Sequence, residues 1–246
     1  MKAEPEHQMR LLDVQEIDSA LAQLAHRART LPEIEEVKAL DGRITELGDR
    51  VLAAETALSD LDREQRKAES DVDQVRTRSE RDRKRLDAGQ VSSPKELESL
   101  QSEIASLQRR QEELEEVVLG VMERREAAEA ELARLRKELE EAQGEREAAE
   151  DRRSAAMVDI ESERGSQAQR RERVAADVPE DLLALYTKLR DQYGVGAAAL
   201  RYGRCEGCKL ALSTAELGQI RQAEPDEVLR CEECRRILVR TTESGL

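Results

Sequence analysis

Four cysteines are the residues whose types and spacing most directly indicate chemistry. They form two Cys-x-x-Cys pairs, Cys205 with Cys208 and Cys231 with Cys234, and 22 residues lie between the pairs. Each pair can turn two sulfur atoms toward one point, so together they supply the four thiolates of a tetrahedral zinc cage. Because such a cage leaves no coordination position open, we expect one structural Zn²⁺ in a zinc ribbon, with disulfides as the disfavoured alternative.

Basic residues around the cysteine pairs have two candidate roles. They can offset the formal charge of about −2 that four thiolates leave on one zinc ion, or they can contact nucleic-acid phosphates. Three interspersed acids, Glu206, Glu232 and Glu233, favour the first role. The basic residues are Arg204, Lys209, Arg230, Arg235 and Arg236.

A second basic group, called the tip cluster below, comes much earlier in the chain. Between Arg76 and Arg85 the only acidic residues are Glu80 and Asp82. Cations are favourable at the end of a helix in any case, so a solvated helix end and a surface for a partner or nucleic acid explain it equally well. The tip cluster consists of Arg76, Arg78, Arg81, Arg83, Lys84 and Arg85, with Lys95 shortly after them.

The composition excludes several classes of protein. With 39% charged residues, three Tyr and no Phe or Trp, the chain suits long helices that bury a narrow seam better than an ordinary globular core. A net charge of −14 argues against a surface devoted to nucleic acid. No phosphate loop, catalytic triad or His metal motif occurs, so we expect no enzyme. Without an export signal or an apolar run of about 18 residues, we expect a cytoplasmic protein with no membrane contact.

One short break separates two long helical patterns. Gly89 can adopt the left-handed conformation that closes a helix, whereas Ser93, Pro94 and Glu96 are typical of a helix start. Before and after this break the apolar residues recur by alternating steps of three and four, as in a coiled coil. A turn at about residues 87–95 therefore predicts an antiparallel helical hairpin.

The apolar repeat also predicts the register of the hairpin. If Leu86 lies opposite Leu97, then Ile44 falls near Leu139 and Val51 near Leu132. Toward the turn the seam weakens, because Ser79 and Asp82 occupy positions that are apolar elsewhere in the repeat. Because the hairpin leaves much helix surface free, we expect a monomer or a weak dimer.

Domain boundaries follow from prolines and glycines. Residues 1–177 are expected to form the hairpin, with Pro32 either kinking or breaking its first helix. Residues 178–246 are expected to hold a linking helix, which ends at Gly194, and then the ribbon. Within the ribbon, Ser213 and Glu216 predict a capped short helix between the cysteine pairs, and four apolar pieces predict strands at 197–200, 210–212, 228–229 and 237–239. The fold class is mainly α: a long antiparallel coiled-coil hairpin followed by a small C-terminal zinc ribbon with short β-strands.

The order of these parts resembles a known bacterial family. The residues that carry the resemblance are the turn with Pro94-Lys95-Glu96-Leu97 and the ribbon from Gly203 to Val239. They are similar to those of the C4-type zinc-ribbon, coiled-coil hairpin proteins, and the similarity covers nearly the full chain. Members of that family are treated as binding proteins, some linked to the nitrogen-type alternative sigma factor, to flagellar gene control or to RNA. The resemblance implies a protein partner, with a component of the transcription machinery as a candidate.

Two functions remain as hypotheses at this point. The first is a non-enzymatic, zinc-binding adaptor or regulatory protein, whose hairpin binds a protein partner in transcription or RNA-related regulation. The alternative is a regulator that binds RNA or DNA directly through the ribbon and the tip cluster. Because Phe and Trp are absent, such binding would rest on phosphate contacts and would depend strongly on salt.

Overall fold

The structure is a computed structural model and describes all residues from Met1 to Leu246. Its helices are α1 (Pro5–Arg29), α2 (Pro32–Asp87), α3 (Pro94–Ala176), α4 (Glu180–Tyr193) and α5 (Thr214–Gln222), and its strands are β1 (Ala197–Arg201), β2 (Arg204–Cys205), β3 (Leu229–Arg230) and β4 (Ile237–Arg240). The predicted fold class is confirmed. Contacts divide the chain into a hairpin unit, Glu35–Glu150, and a terminal unit, Met1–Ile34 with Asp151–Leu246. None of the helices combines the length and apolar character needed to span a bilayer.

The turn of the hairpin forms as the sequence predicts. Gly89 has a φ of 65°, and the amides of Gly89 and Gln90 donate to the carbonyls of Leu86 and Arg85, the pattern of a Schellman cap. On the other side, Ser93 Oγ accepts from the Glu96 amide at 3.3 Å. The reciprocal bond runs from the Ser92 amide, not from Ser93, to Glu96 Oε2 at 3.1 Å. The capping box is therefore displaced by one residue, but the helix starts where it was expected.

The seam of the hairpin unit consists of small apolar clusters. Ile44, Leu47 and Val51 from α2 pack with Leu135 and Leu139 from α3, which agrees with the predicted proximity of Ile44 and Leu139. Ion pairs flank the seam and join the helices in antiparallel order, among them Arg43–Glu145, Arg124–Glu64, Arg78–Glu103 and Arg85–Glu96. Ser79 and Asp82 are buried, as their seam positions imply.

The first helix is broken at Pro32. Helix α1 ends at Arg29, and the Thr30 amide and hydroxyl both donate to the His26 carbonyl. Leu31 then turns into an apolar cluster with Leu24 and Ile160, and α2 starts at Pro32. Because proline cannot donate a hydrogen bond to the preceding turn, a new helix at this residue costs less than continuation of the old one.

The terminal unit packs α1 and α4 against a four-stranded sheet. The strand order is β2-β1-β4-β3, with β1 parallel to β4 and the other pairs antiparallel. Leu11 and Val14 of α1, Leu182 and Tyr186 of α4, and Ile237 of β4 share one core. This core fixes β1 and β4; β2, which ends at Cys205, pairs with β1, and β3, which ends just before Cys231, pairs with β4.

The strand predictions were right for three pieces and wrong for the fourth. Strands β1, β3 and β4 fall at or within one residue of the expected segments, whereas 210–212 forms only an isolated bridge between Ala211 and Arg204. The unpredicted β2, Arg204–Cys205, pairs with β1 instead. The chain after the first cysteine pair is held by backbone bonds from Cys205 to Leu210 and from Leu212 to Gly203, and these do not extend into a ladder.

A buried polar cluster joins elements that are distant in sequence. The side chain of Asp18 in α1 is 6% exposed and accepts hydrogen bonds from Arg171 Nε at 2.6 Å, Tyr186 Oη at 2.8 Å and Arg190 Nη1 at 3.0 Å. Burial would raise the pKa of the Asp18 carboxyl, but these hydrogen bonds outweigh burial and lower it. One turn earlier, Gln15 Oε1 accepts from the Gly196 amide at 2.7 Å, which ties α1 to the start of β1.

Replacement of Asp18 by Asn is expected to destabilise the terminal unit by about 3 kcal/mol near neutral pH, because two arginines lose their shared carboxylate. Since the pKa of Asp18 is lowered on folding, its contribution is present above the unfolded-state pKa and disappears as the pH falls through the folded-state pKa. The difference between wild type and Asp18→Asn should therefore narrow below about pH 4. Urea unfolding monitored by tyrosine fluorescence measures the free energy of unfolding of both proteins, since all three tyrosines lie in the terminal unit.

The matched control is Asp13→Asn, on the same helix. Asp13 forms an exposed pair with Arg10 at 3.3 Å and should contribute little. Equal destabilisation by both substitutions, or a difference that grows in acid, would contradict the role assigned to Asp18.

Candidate metal centre

The two cysteine pairs adopt the same backbone geometry. In the first, the Lys209 amide donates to the Cys205 carbonyl at 2.7 Å; in the second, the Arg235 amide donates to the Cys231 carbonyl at 2.9 Å. Lys209 and Arg235 both have a φ of 63°, which is uncommon for residues with a side chain. The repeated turn directs both cysteines of each pair to one side, so the pairs form two equivalent knuckles.

The four sulfur atoms converge on one point. The Sγ atoms of Cys205 and Cys234 lie 3.8 Å apart and those of Cys208 and Cys231 lie 3.9 Å apart, with all four within 4.8 Å of one another. A tetrahedron with zinc–sulfur bonds of about 2.3 Å has edges of about 3.8 Å. Disulfides would require about 2.05 Å, and all four cysteines are free. The cluster can hold one Zn²⁺, as the sequence predicted.

The environment of the thiols disfavours a cluster of bare thiolates. Burial raises the pKa of Cys205 to about 12 and also raises the pKa of Cys231. Burial acts in the same direction on Cys234, but hydrogen bonds from the Arg236 amide and neighbouring thiols outweigh it and lower its pKa. A divalent cation supplies the positive charge that lets all four sulfurs deprotonate, and its binding must release protons.

Arg236 and Gly207 brace the first knuckle, and sequence reasoning missed both roles. The Arg236 guanidinium donates to the carbonyls of Gly207 at 2.9 Å, Val195 at 3.2 Å and Tyr193 at 3.2 Å. A Cβ atom at Gly207 would lie 2.9 Å from Cβ of Ala198, so only glycine lets the knuckle approach β1 this closely. Lys209 and Arg235 each follow the first cysteine of their pair by four residues, an equal spacing from which the repeated turn could have been predicted.

The other basic residues of the ribbon differ in their partners. Lys209 pairs with Glu206 within the first knuckle, and Arg230 donates from Nε to the Arg235 carbonyl at 2.8 Å. The side chains of Arg204 and Arg235 are exposed and form no ion pair. All five basic residues of the ribbon therefore lie around the knuckles. Arg236 is directed inward, whereas Arg204, Lys209, Arg230 and Arg235 are exposed.

The tip cluster of the hairpin unit is largely neutralised by neighbouring acids. Arg76 pairs with Glu80, Arg78 with Glu103, Arg81 with Asp82 and Arg85 with Glu96. The exposed residues without an ion pair are Arg83, Lys84 and Lys95. Two of these pairs, Arg78–Glu103 and Arg85–Glu96, join the tip cluster to acids of α3, a neutralisation that the sequence of α2 alone does not reveal.

Chelation of zinc, or Cys205→Ser, is expected to release both knuckles and α5 while β1 and β4 stay on the core they share with α1 and α4. The zinc content determined by metal analysis should fall from about one ion per chain to near none. Hydrogen exchange should rise across residues 203–236 but stay unchanged in the hairpin unit. Glu233→Gln, within the second knuckle, is the control and should retain zinc; an ordered, zinc-loaded Cys205→Ser protein would refute the ligand set.

Comparison with known proteins agrees with both parts of this architecture. A family model described as a CT398-like coiled coil hairpin domain matches residues 14–194, and a C4-type zinc ribbon domain matches residues 204–238. An uncharacterized protein of Mycobacterium tuberculosis strain H37Rv is 36% identical over 240 residues, which cover 98% of each chain. One of Mycobacterium leprae strain TN is 30% identical over 217 residues, 88% of this chain and 93% of the relative.

Solved structures show the same fold. A protein from Mycobacterium smegmatis superposes with a TM-score of 0.84 at 38% identity, over 98% of this chain and 100% of that chain. CT398 from Chlamydia trachomatis gives a TM-score of 0.68 at 19% identity, over 96% and 98% of the two chains. At that identity CT398 supports the fold alone. Since the hairpin model covers most of the chain and the ribbon model covers the four cysteines, the protein belongs to the family of CT398-like coiled-coil hairpin proteins with a C4-type zinc ribbon.

Proposed function

We propose that the protein is a non-catalytic, zinc-binding adaptor of the cytoplasm that joins a protein partner to the transcription machinery or to an RNA–protein assembly. The observation that carries the proposal is the closed four-cysteine centre. With Cys205, Cys208, Cys231 and Cys234 as its ligands, Zn²⁺ has no free position for a substrate or an activated water. The metal's contribution is then to hold the two knuckles together.

The exposed surface of the hairpin supports the adaptor role. A coiled coil buries only a seam, and most of the surface of α2 and α3 remains available to another protein. Within the hairpin unit, the pKa of the Glu131 carboxyl is lowered by hydrogen bonds from Arg134 on the same helix, so a surface ion pair accounts for this shift without a catalytic role. Involvement in transcription or RNA regulation comes from the family resemblance.

The alternative function, direct binding of RNA or DNA, has one specific observation in its favour. Tyr202, in the turn between β1 and β2, is 73% exposed and has a φ of 48°, and the exposed Arg204 follows two residues later. An exposed aromatic ring can stack on a base without sequence preference, and an arginine close to it in sequence can add a contact to the backbone of the same strand. In the hairpin unit, Arg83, Lys84 and Lys95 would supply phosphate contacts.

A salt series separates the two functions. If the ribbon binds RNA directly, affinity should fall steeply with salt, and Arg204→Ala should reduce the slope of log K against log salt by about 0.7, the value for one phosphate contact on a single strand. Gel shifts with single-stranded RNA and duplex DNA make this measurement. Arg201→Ala is the matched control, because Arg201 is engaged with Glu243 at 2.6 Å.

The adaptor proposal predicts the complementary result. Affinity capture after nuclease treatment should retain components of the transcription machinery or of an RNA–protein assembly, identified by mass spectrometry, and Arg204→Ala should not release them. Capture that disappears with nuclease, together with salt-dependent gel shifts, would replace the adaptor by the nucleic-acid-binding regulator.

A further inference from the structure

We propose that the hairpin unit carries a docking surface, centred on Leu119 of α3, for a cationic amphipathic helix of a partner protein. The proposal rests on the adaptor function above and specifies which surface and which partner chemistry serve it. The surface, called the docking patch, has an apolar centre and an acidic rim. Its residues are Val72, Val118, Leu119 and Met122 at the centre and Glu69, Asp73 and Glu115 at the rim.

The apolar centre exceeds what the hairpin needs for its own stability. Residues 117–122 read Val-Val-Leu-Gly-Val-Met; Val121 is completely buried in the seam and Val118 is half-buried, whereas the other large apolar residues of this segment are exposed. Leu119 is 60% exposed and Met122 is 39% exposed. Met122 follows Val118 by four residues and Leu119 by three, so the three side chains share one face of α3. A contiguous group of exposed large apolar side chains, unlike a single one, marks a candidate interaction site.

The centre includes a hollow between the two helices. Val72 of α2 and Val118 and Leu119 of α3 line it together with the three carboxylates, and its volume is about 540 Å³. The volume suits one or two large apolar side chains of another helix. A helix laid along α2 and α3 at this point would bury Leu119 and Val72 by the knobs-into-holes packing that already joins the hairpin.

The acidic rim selects a positively charged occupant. Glu69 accepts a hydrogen bond from Gln65 and Glu115 accepts one from Gln111, both at 2.8 Å, and neither of these carboxylates nor Asp73 forms an ion pair. Along the same stretch of α3, Glu112 and Glu116 are four residues apart and repel each other. Some other acids of the hairpin unit are neutralised by the opposite helix, as Glu64 is by Arg124 at 2.7 Å, whereas the rim carboxylates have no such partner. The unpaired rim therefore complements Lys or Arg residues that flank an apolar anchor.

Other occupants fit this chemistry less well. A second copy docked through the same patch would face carboxylate with carboxylate, because a two-fold interface brings each surface against itself. Nucleic acid would bring phosphates against the same carboxylates. A helix with Leu or aromatic residues on one side and Lys or Arg on both edges satisfies the apolar centre and the rim together.

The test is a binding measurement with three synthetic helical peptides and the zinc-loaded full chain. The first peptide carries a leucine face edged by Lys and Arg, the second the same face edged by Glu, and the third the cationic residues in an order without a continuous apolar face. Fluorescence anisotropy of labelled peptides should show binding of the first peptide only. Leu119→Ser should weaken it about tenfold or more, the loss expected when a leucine is no longer buried at the contact.

Val117→Ser is the matched control. Val117 is 51% exposed but lies two residues from Leu119, on a different side of the helix, and should not affect binding. Asp73→Asn should lower the salt dependence of binding without changing the helical circular dichroism.

Three results would overturn the proposal: no binding of the cationic amphipathic peptide, equal binding of the anionic one, or equal effects of Leu119→Ser and Val117→Ser. A dimer seen by analytical ultracentrifugation that Leu119→Ser dissociates would assign the patch to a second copy, and loss of nucleic-acid binding in that variant would assign it to nucleic acid. After any of these results, the adaptor function could still be served by another surface of the protein. Capture of partners that is lost on nuclease treatment would instead contradict the adaptor function, and it would not affect the peptide measurement.

Discussion

The carboxylate of Asp18 is the interaction on which the terminal unit most depends. It joins α1 to α3 through Arg171 and to α4 through Arg190 and Tyr186, across as many as 172 residues of sequence. A chain without Phe or Trp builds only a modest apolar core, so a fully hydrogen-bonded polar group supplies specificity that packing alone would not. Its low pKa reflects three donors that outweigh the cost of burial.

Helix α1 also positions the strand that leads to the metal centre. Gln15 lies one turn from Asp18, and its Oε1 accepts a hydrogen bond from the amide of Gly196. Strand β1 starts at the next residue. A Cβ atom at Gly196 would lie 2.5 Å from the Tyr186 carbonyl oxygen, so this junction between α4 and β1 requires glycine. Strand β1 then pairs with β2, which ends at Cys205. Zinc closes the knuckles, but helices outside the ribbon position the strands that lead into them.

Local signals in the sequence were sufficient for the hairpin and for the clustering of the four cysteines. Gly89 and Pro94 mark the turn, the heptad repeat gives the antiparallel seam, and the two Cys-x-x-Cys pairs need only short strands to bring their sulfurs together. What the sequence could not provide depends on contacts between distant segments. Asp18 looked like one acid among 55 acidic residues, and the arginines of the tip cluster looked unpaired because Glu96 and Glu103 belong to the next helix.

The joining of α1 to α4 and β1 also affects how the protein is made. During synthesis, residues 10–20 leave the ribosome long before Tyr186 and Gly196, so the face of α1 that bears Leu11 and Val14 has no native partner until the polypeptide is nearly finished. The hairpin unit lies wholly between these segments and can fold first from local contacts. Nascent chains therefore display an uncovered apolar helix for most of translation, a state that exposes them to aggregation and to chaperones.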